Sequence, residues 1–239
     1  MSNLSDIGFP VKSEEDVNQV LMDVLSGIDQ VACPPFGFYY RFEDPSGAQI
    51  FLQANPAQEL TGFNPGFRSE GLLSLELVRR IERDTSELDG AYVAKGADGS
   101  IFVFDLPDFK RVDTGQMPTT VSAELTAFAT NDLAIGPVAD SNGNANSIKA
   151  LKDSDRDLLA GNPGAPPPQA HVSIRASIDS AEKRLNTKSK EEFWVFSAKT
   201  SAGMVSIVAD PVLVADEPAA GDVVEGSFWL SGKIVKKGE

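Results

Sequence analysis

Few residues in this chain have the type and spacing that chemistry requires. Asp153, Asp155 and Asp157 alternate as the first ligands of a calcium loop do, but the sixth position is Leu158 instead of Gly and the twelfth is Gly164 instead of Glu. A register started at Asp140, through Asn142, Asn144 and Asn146, ends on Leu151. Neither run makes a metal loop, and no metal or cofactor is expected. His171 is the sole histidine, so a Ser-His-Asp triad has one place to form, and no Gly-x-Ser-x-Gly elbow accompanies it. Cys33 before Pro34-Pro35 reads as a small buried apolar side chain more readily than as a nucleophile. Gly62-Phe63-Asn64-Pro65-Gly66 lacks the Lys-Ser/Thr ending of a phosphate loop. Among the carboxylates only Glu70 and Glu225 carry a pattern, each lying just before a strand.

What remains is aromatic. Phe38, Tyr39, Tyr40 and Phe42 are close neighbours, so strand alternation puts them on opposite faces of a sheet. One face packs inward and the other carries aromatic surface that some element or partner must cover. Trp194 and Trp229 raise the same question near the C-terminus. The binding candidates are therefore Tyr39, Tyr40, Trp194 and Trp229, with no catalytic residue named.

Composition narrows the partners. The formal charge is −14, from 35 acidic and 21 basic residues. Such a chain repels phosphate backbones and anionic lipid on average. The excess lies toward the N-terminus: residues 1–111 carry 18 acids against 9 bases, and residues 169–239 carry 10 against 9. Nucleic acid is disfavoured overall, and no run approaches the about 20 apolar residues of a membrane helix. One cysteine allows no internal disulfide, and the first residues lack the basic and apolar regions of a signal peptide, so a cytoplasmic location is the default expectation.

The elements that must position these residues are mostly strands. Ser13 caps a run with Glu14, Glu15 and Asp16, after which Val17, Val20, Leu21, Val24, Leu25 and Ile28 fall at helical spacing, predicting an amphipathic helix over 13–27. The period then changes. Residues 37–54 read as a hairpin around Asp44-Pro45-Ser46-Gly47, and 72–83 as a strand whose outer face carries Glu76, Arg79 and Arg83. A second hairpin spans 91–95 and 100–105, turning at Asp98-Gly99. Thr119 to Phe128 reads equally as strand or short helix. Asp140 to Asn146 is a loop, Ser147 to Leu159 a short helix, and Gly161 to Pro168 a proline-stiffened linker. Strands follow at 172–176, 193–198, 204–209 and 223–235.

A gapless match of 38–75 with 193–230, including Phe38/Phe193, Ala54/Ala209, Pro56/Pro211 and Leu75/Leu230, suggests an internal duplication. The expected fold is α+β, predominantly antiparallel β with an N-terminal amphipathic helix and a C-terminal small β-barrel or sandwich-like unit. The expected domains are 1–111, a connecting region 112–168, and 169–239. Gly221 to Gly226, leading into a strand, resembles the strand entries of small barrels such as oligonucleotide-binding folds.

The leading functional expectation is a non-enzymatic module that binds a protein or a small ligand, self-associating through sheet surfaces as a homo-oligomer. One alternative is a single-stranded nucleic-acid binder in the C-terminal unit, stacking bases on Trp194 or Trp229 with Lys183, Arg184, Lys188 and Lys190 on phosphates. The other is a hydrolase built on carboxylates, which requires a cleft holding two acids of raised pKa.

Overall fold

The computed structural model describes residues 3–83, 86–137, 146–161 and 164–235. The protein is mostly β, with an N-terminal helix, a four-stranded antiparallel sheet and a ten-stranded mixed sheet that closes partly into a ring. Helix α1 (Glu14–Val24) starts at a capping box: the Asp16 N–H donates to Ser13 Oγ at 3.2 Å, and the Ser13 N–H donates to Asp16 Oδ2 at 2.9 Å. It stops short of Gly27, whose φ of +105° suits glycine. Leu21 and Val24 are its buried residues.

The small sheet is a meander of β1 (Asp29–Cys33), β2 (Gly37–Glu43), β3 (Ala48–Ala54) and β4 (Leu60–Phe67). Strand alternation gives it two different faces. Phe42, Ile50 and Leu52 join α1 and residues Leu4, Ile7 and Phe9 in one apolar cluster. Tyr39, Arg41, Gln49 and Phe51 belong to the opposite face and line a cleft. The 44–47 turn is as expected, with the Gly47 N–H donating to Asp44 O. Asp44 is buried, and it also accepts from the Thr187 N–H at 3.1 Å, which ties this hairpin to a loop of the large sheet. Burial opposes its ionisation, yet the hydrogen bonds from Ser46 and Thr187 hold its carboxyl below the usual range.

The large sheet contains β5 (Leu73–Glu82), β6 (Gly90–Lys95), β7 (Ile101–Asp105), β8 (Thr119–Ala129), β9 (Ala134–Gly136), β10 (Ser147–Ala150), β11 (His171–Leu185), β12 (Glu192–Thr200), β13 (Gly203–Ala209) and β14 (Val223–Val235). Its strands come from both sides of the proline-rich segment. One circuit of pairing runs β11–β12–β13–β8–β14 and back to β11; β8 and β13 are parallel. A second runs β5–β6–β7–β14–β8 and back to β5, its parallel link being the single pair Ser231↔Asp105. The strands after the linker therefore do not close on themselves: β13 does not pair with β14, and β8 bridges the two.

The two circuits share one pattern. Exchanging β5–β8 for β11–β14 leaves every pairing of the two circuits in place, with only the added strands β9 and β10 lacking counterparts among the described residues, and the Ala127↔Leu230 rung maps onto itself. Even the irregularity repeats: β5 bulges between Leu77 and Arg79, and β11 between Ile178 and Ser180. In this correspondence Leu73, Leu75 and Leu77 match Ile174, Ala176 and Ile178, and all six lie in one continuous core. The offset match of 38–75 with 193–230 is a different matter. Both segments do begin with hairpins, β2–β3 and β12–β13. Their third strands then part company, because β4 pairs with β3 whereas β14 does not pair with β13. The identities behind that match are largely turn and strand-end residues, which unrelated meanders share.

Two outward faces need covers. Val195, Val208 and Phe128 lie beneath the N-terminal residues, α1 and the small sheet. Ala91, Val93, Ile101 and Val103 pack with Leu158 and Ala170. Leu158 belongs to α2 (Asp155–Ala160). The helix expected over 147–159 thus divides: Ile148 is drawn into the core as β10 pairs with β11, and helix resumes only after the Ser154 cap. The expected strand-or-helix at 119–128 is strand. There Ala123, Leu125 and Ala127 alternate inward, and tertiary pairing decides what local propensity leaves open. Arg79 and Arg83 on the outer face of β5 hold the second cover, donating to Leu158 O at 3.0 Å and Pro168 O at 2.6 Å. Residues 140–145 of the expected loop, and 162–163 of the linker, lie outside the described residues.

Asp6 fastens the first cover. It is 4% exposed and accepts from the Asp210 N–H at 2.9 Å, and burial pushes its pKa up to about 8. In the window between the unfolded value of 3.8 and about 8, the folded chain keeps a proton that the unfolded chain releases. This contribution is complete below that window and declines as pH rises through it, by up to about 1.4 kcal/mol per pH unit. Melting temperature measured from pH 4 to pH 9 is expected to fall with rising pH, and Asp6→Asn to flatten the decline.

Candidate functional site

The seam between β8 and β14 has an inward and an outward row. Inward residues such as Ala127 and Leu230 fill the core. The outward row begins with two polar rungs, Glu124↔Lys233 and Thr126↔Ser231. Next along it are Phe128 and Trp229, whose ring centroids lie 4.8 Å apart. The aromatic end is roofed by the N-terminal cluster. The polar end is open, and it forms the floor of a cleft of about 540 Å3. The second face of the small sheet makes one wall, with Tyr39, Arg41, Gln49 and Phe51. The loop after β7 makes another, with Pro107, Asp108, Arg111 and Val112.

Charges from three elements meet there. Arg41 comes from β2, Arg111 from the turn after β7, and Lys233 from β14. Arg41 faces Asp29 at 3.6 Å, with the Asp29 side chain largely in solvent and that of Arg41 half-buried. The side chains of Arg111 and Lys233 make no ion pair or hydrogen bond among the described residues. Burial pushes the Asp108 carboxyl up, and Arg111, Lys233 and Arg41 pull it partly back. Burial likewise raises Glu124, opposed by Lys233 and Arg68. The cleft is thus a desolvated pocket of mixed charge, with hydroxyl and amide groups beside it. Thr126 Oγ1 is already engaged, donating to Phe67 O at 3.3 Å.

The four aromatic candidates do not come together. Tyr39 lines the cleft, but its hydroxyl is committed: it donates to Leu88 O at 2.6 Å and accepts from the Lys110 N–H at 3.1 Å. Tyr40 faces the other way, packs on the N-terminal cluster and accepts from Gln30 Nε2 at 2.8 Å. Trp194 is 6% exposed, stacked on Phe196 at 5.9 Å with Lys183 Nζ 5.1 Å from its ring. Trp229 is half-buried, and its Nε1 donates to Asp105 Oδ2 at 2.6 Å. It borders a separate shallow depression with Phe63 and His171.

The remaining sequence candidates have structural partners. Glu70 pairs with Arg184 at 2.9 Å, and Glu225 pairs with Arg175. Asp157 accepts from the Ser154 hydroxyl at the start of α2. Cys33 is buried beside Tyr39 and Leu88, and burial raises its thiol pKa. Gly62 to Gly66 lie within β4 and form no loop. Burial lowers the His171 pKa, helped by Lys152. Among the described residues no three His, Cys, Asp or Glu side chains stand together as metal ligands, and no helix is long and apolar enough to cross a membrane.

Sequence reasoning missed Arg41, Asp108, Arg111, Glu124 and Lys233. Each is an ordinary outward strand or loop residue by pattern. Only the β8–β14 register and the docking of the small sheet bring them together. No protein-family model, curated protein or solved structure matches the chain.

Tyr39 joins the cleft wall to the loop carrying Leu88 and to the loop carrying Asp108 and Arg111. Tyr39→Phe leaves a buried carbonyl and an amide without their partner, at an expected cost of about 1–3 kcal/mol. Urea denaturation of the two proteins measures that loss as a lower midpoint at unchanged slope.

Proposed function

We propose that this chain is a non-enzymatic binding module whose site is the cleft between the small sheet and the polar end of the β8–β14 seam. The carrying observation is the asymmetry of that seam. One end is aromatic and covered by the chain itself, and the other keeps Glu124, Lys233, Thr126 and Ser231 beneath an open cleft. A volume of about 540 Å3 is in the usual range for ligand sites. Arg111 and Lys233, whose side chains make no ion pair or hydrogen bond among the described residues, supply the polar handles that such sites use for orientation. The repeated four-strand pattern supports reading the ring as two barrel-like units derived by duplication, whose shared seam carries the site.

The carboxylate alternative draws on a specific observation: Asp108 and Glu124 line the same cleft, and burial raises both. The two readings separate in one experiment. Ligand candidates are titrated into isotope-labelled protein, and the same samples are assayed for hydrolysis. The binding reading expects shifts centred on the amides of Arg111, Glu124 and Lys233 without turnover, persisting in Asp108→Asn. Turnover abolished by both Asp108→Asn and Glu124→Gln would install the hydrolase instead. Shifts confined to the Trp229 depression would overturn the cleft as the site. The nucleic-acid alternative has less support, since Trp194 is buried and Arg184 is held by Glu70 and Glu182.

A further inference from the structure

The chain itself displays an occupant at the position equivalent to the cleft. Exchanging the two four-strand sets carries Thr126 and Ser231 onto Trp229 and Phe128, and it brings the 3-10 turn after β7, preceded by Asp108 and ending on Arg111, onto the turn after β13, preceded by Asp210 and ending on Leu213. Residues 3–9 sit on that equivalent surface. Leu4 and Ile7 are fully buried there, in one cluster with Phe9, Phe128 and Val208. The segment is also held through polar groups. Its Asp6 side-chain carboxyl accepts from the Asp210 N–H at 2.9 Å, and Asn186 Nδ2 donates to Ile7 O at 2.8 Å. A short stretch of chain carrying an acidic residue between apolar ones thus completes one end of the seam.

We infer that the open end is completed in the same manner, by a short acidic segment of a partner protein lying in the cleft. This rests on the binding reading above and adds the class of partner. The differences between the two ends specify that partner. Where the turn after β13 ends on the apolar Leu213, the matching turn after β7 ends on Arg111, which the cleft presents together with Lys233 and Arg41 from two further elements. An acidic side chain of the incoming segment meets these cations, which give charge-assisted bonds stronger than one backbone amide provides. Arg41 is paired with Asp29 at the rim, whose side chain is 78% exposed, whereas Arg111 and Lys233, like Asp108 and Glu124, form no ion pair within 4.0 Å among the described residues. Val31, Phe51 and Val112 supply the apolar contacts that Leu4, Ile7 and Phe9 find at the other end. Such a segment comes from outside the described chain, because residues 3–9 are already engaged.

The test uses the full chain. A phage library displaying segments of natural disordered proteins is panned against the wild type, Arg111→Glu, Lys233→Glu and, as a control, Arg156→Glu on α2. Melting temperatures confirm that each variant is folded. The proposal expects peptides with one or two acids flanked by apolar residues. Their affinity, measured with synthetic peptides, should fall at least 10-fold for both cleft variants and stay unchanged for Arg156→Glu. Failure to enrich any peptide, enrichment of basic ones, or indifference to both cleft variants overturns it. Binding of a small metabolite that depends on Lys233, with no peptide enriched, overturns the peptide and keeps the cleft as a binding site. A dimer on size exclusion that Lys233→Glu dissociates makes the occupant a second copy, which also overturns the partner.

Discussion

The antiparallel pairing of β8 with β14 is the constraint on which the rest of the molecule depends. Each strand belongs to both circuits of the large sheet, so its inward residues serve both halves of one core. Pairing fixes alternation, and alternation fixes which side chains leave the core. Moving the register by one residue would turn Leu125 and Ala127 outward and drive Glu124 and Thr126 inward. Core and cleft are therefore opposite sides of the same ladder. Gly232 shows how tightly the inner side is set, since a Cβ there would come within 2.6 Å of the Phe104 ring.

A sheet that curls in this way leaves apolar residues on its outside, and the chain spends its remaining length covering them. The N-terminal segment, α1 and the small sheet lie over β8, β12 and β13, and the segment with α2 lies over β6 and β7. The covers are tied on by polar groups at a few points: Asp6, Asp44, Asn186, Arg79 and Arg83. Each tie has a buried or half-buried end, where a hydrogen bond is worth more than in water. The small sheet has a second duty. Its inner face seals the core and its other face forms a wall of the cleft, so packing and recognition share one element.

Local structure was largely legible in the sequence. The capping box at Ser13, the turn at Asp44-Gly47 and the hairpin around Asp98-Gly99 rest on residue chemistry acting over a few positions, and each forms as expected. β10 was hidden because Ile148 is a strand residue only by virtue of its partner Ile174. The correspondence between the two circuits was hidden for a related reason. Matched positions keep apolar character on the inward side, as in Leu125 against Phe228 and Phe104 against Ile207, but seldom the same residue. The offset that did show identities was following turn residues. Nor could the site be read, since Arg41, Arg111 and Lys233 lie far apart along the chain. Of the aromatic residues that drew attention, Trp194 packs in the core, and Tyr39 bridges two loops while lining the cleft.

Side by side, the two circuits separate what packing requires from what it leaves open. Inward positions tolerate exchange of one apolar residue for another, because a core asks for volume and apolarity more than for identity. Outward positions on the seam have no such common requirement. Phe128 and Trp229 satisfy it with rings and a cover taken from the same chain, whereas Thr126 and Ser231 remain small and polar under open space. A fold that needed only stability would gain from covering both ends, since each buried apolar side chain contributes about 1.5–3 kcal/mol. Leaving one end polar and concave gives up that gain. The arrangement makes sense physically if the missing cover arrives from elsewhere and has to leave again, which polar contacts and modest apolar area allow and a sealed core does not.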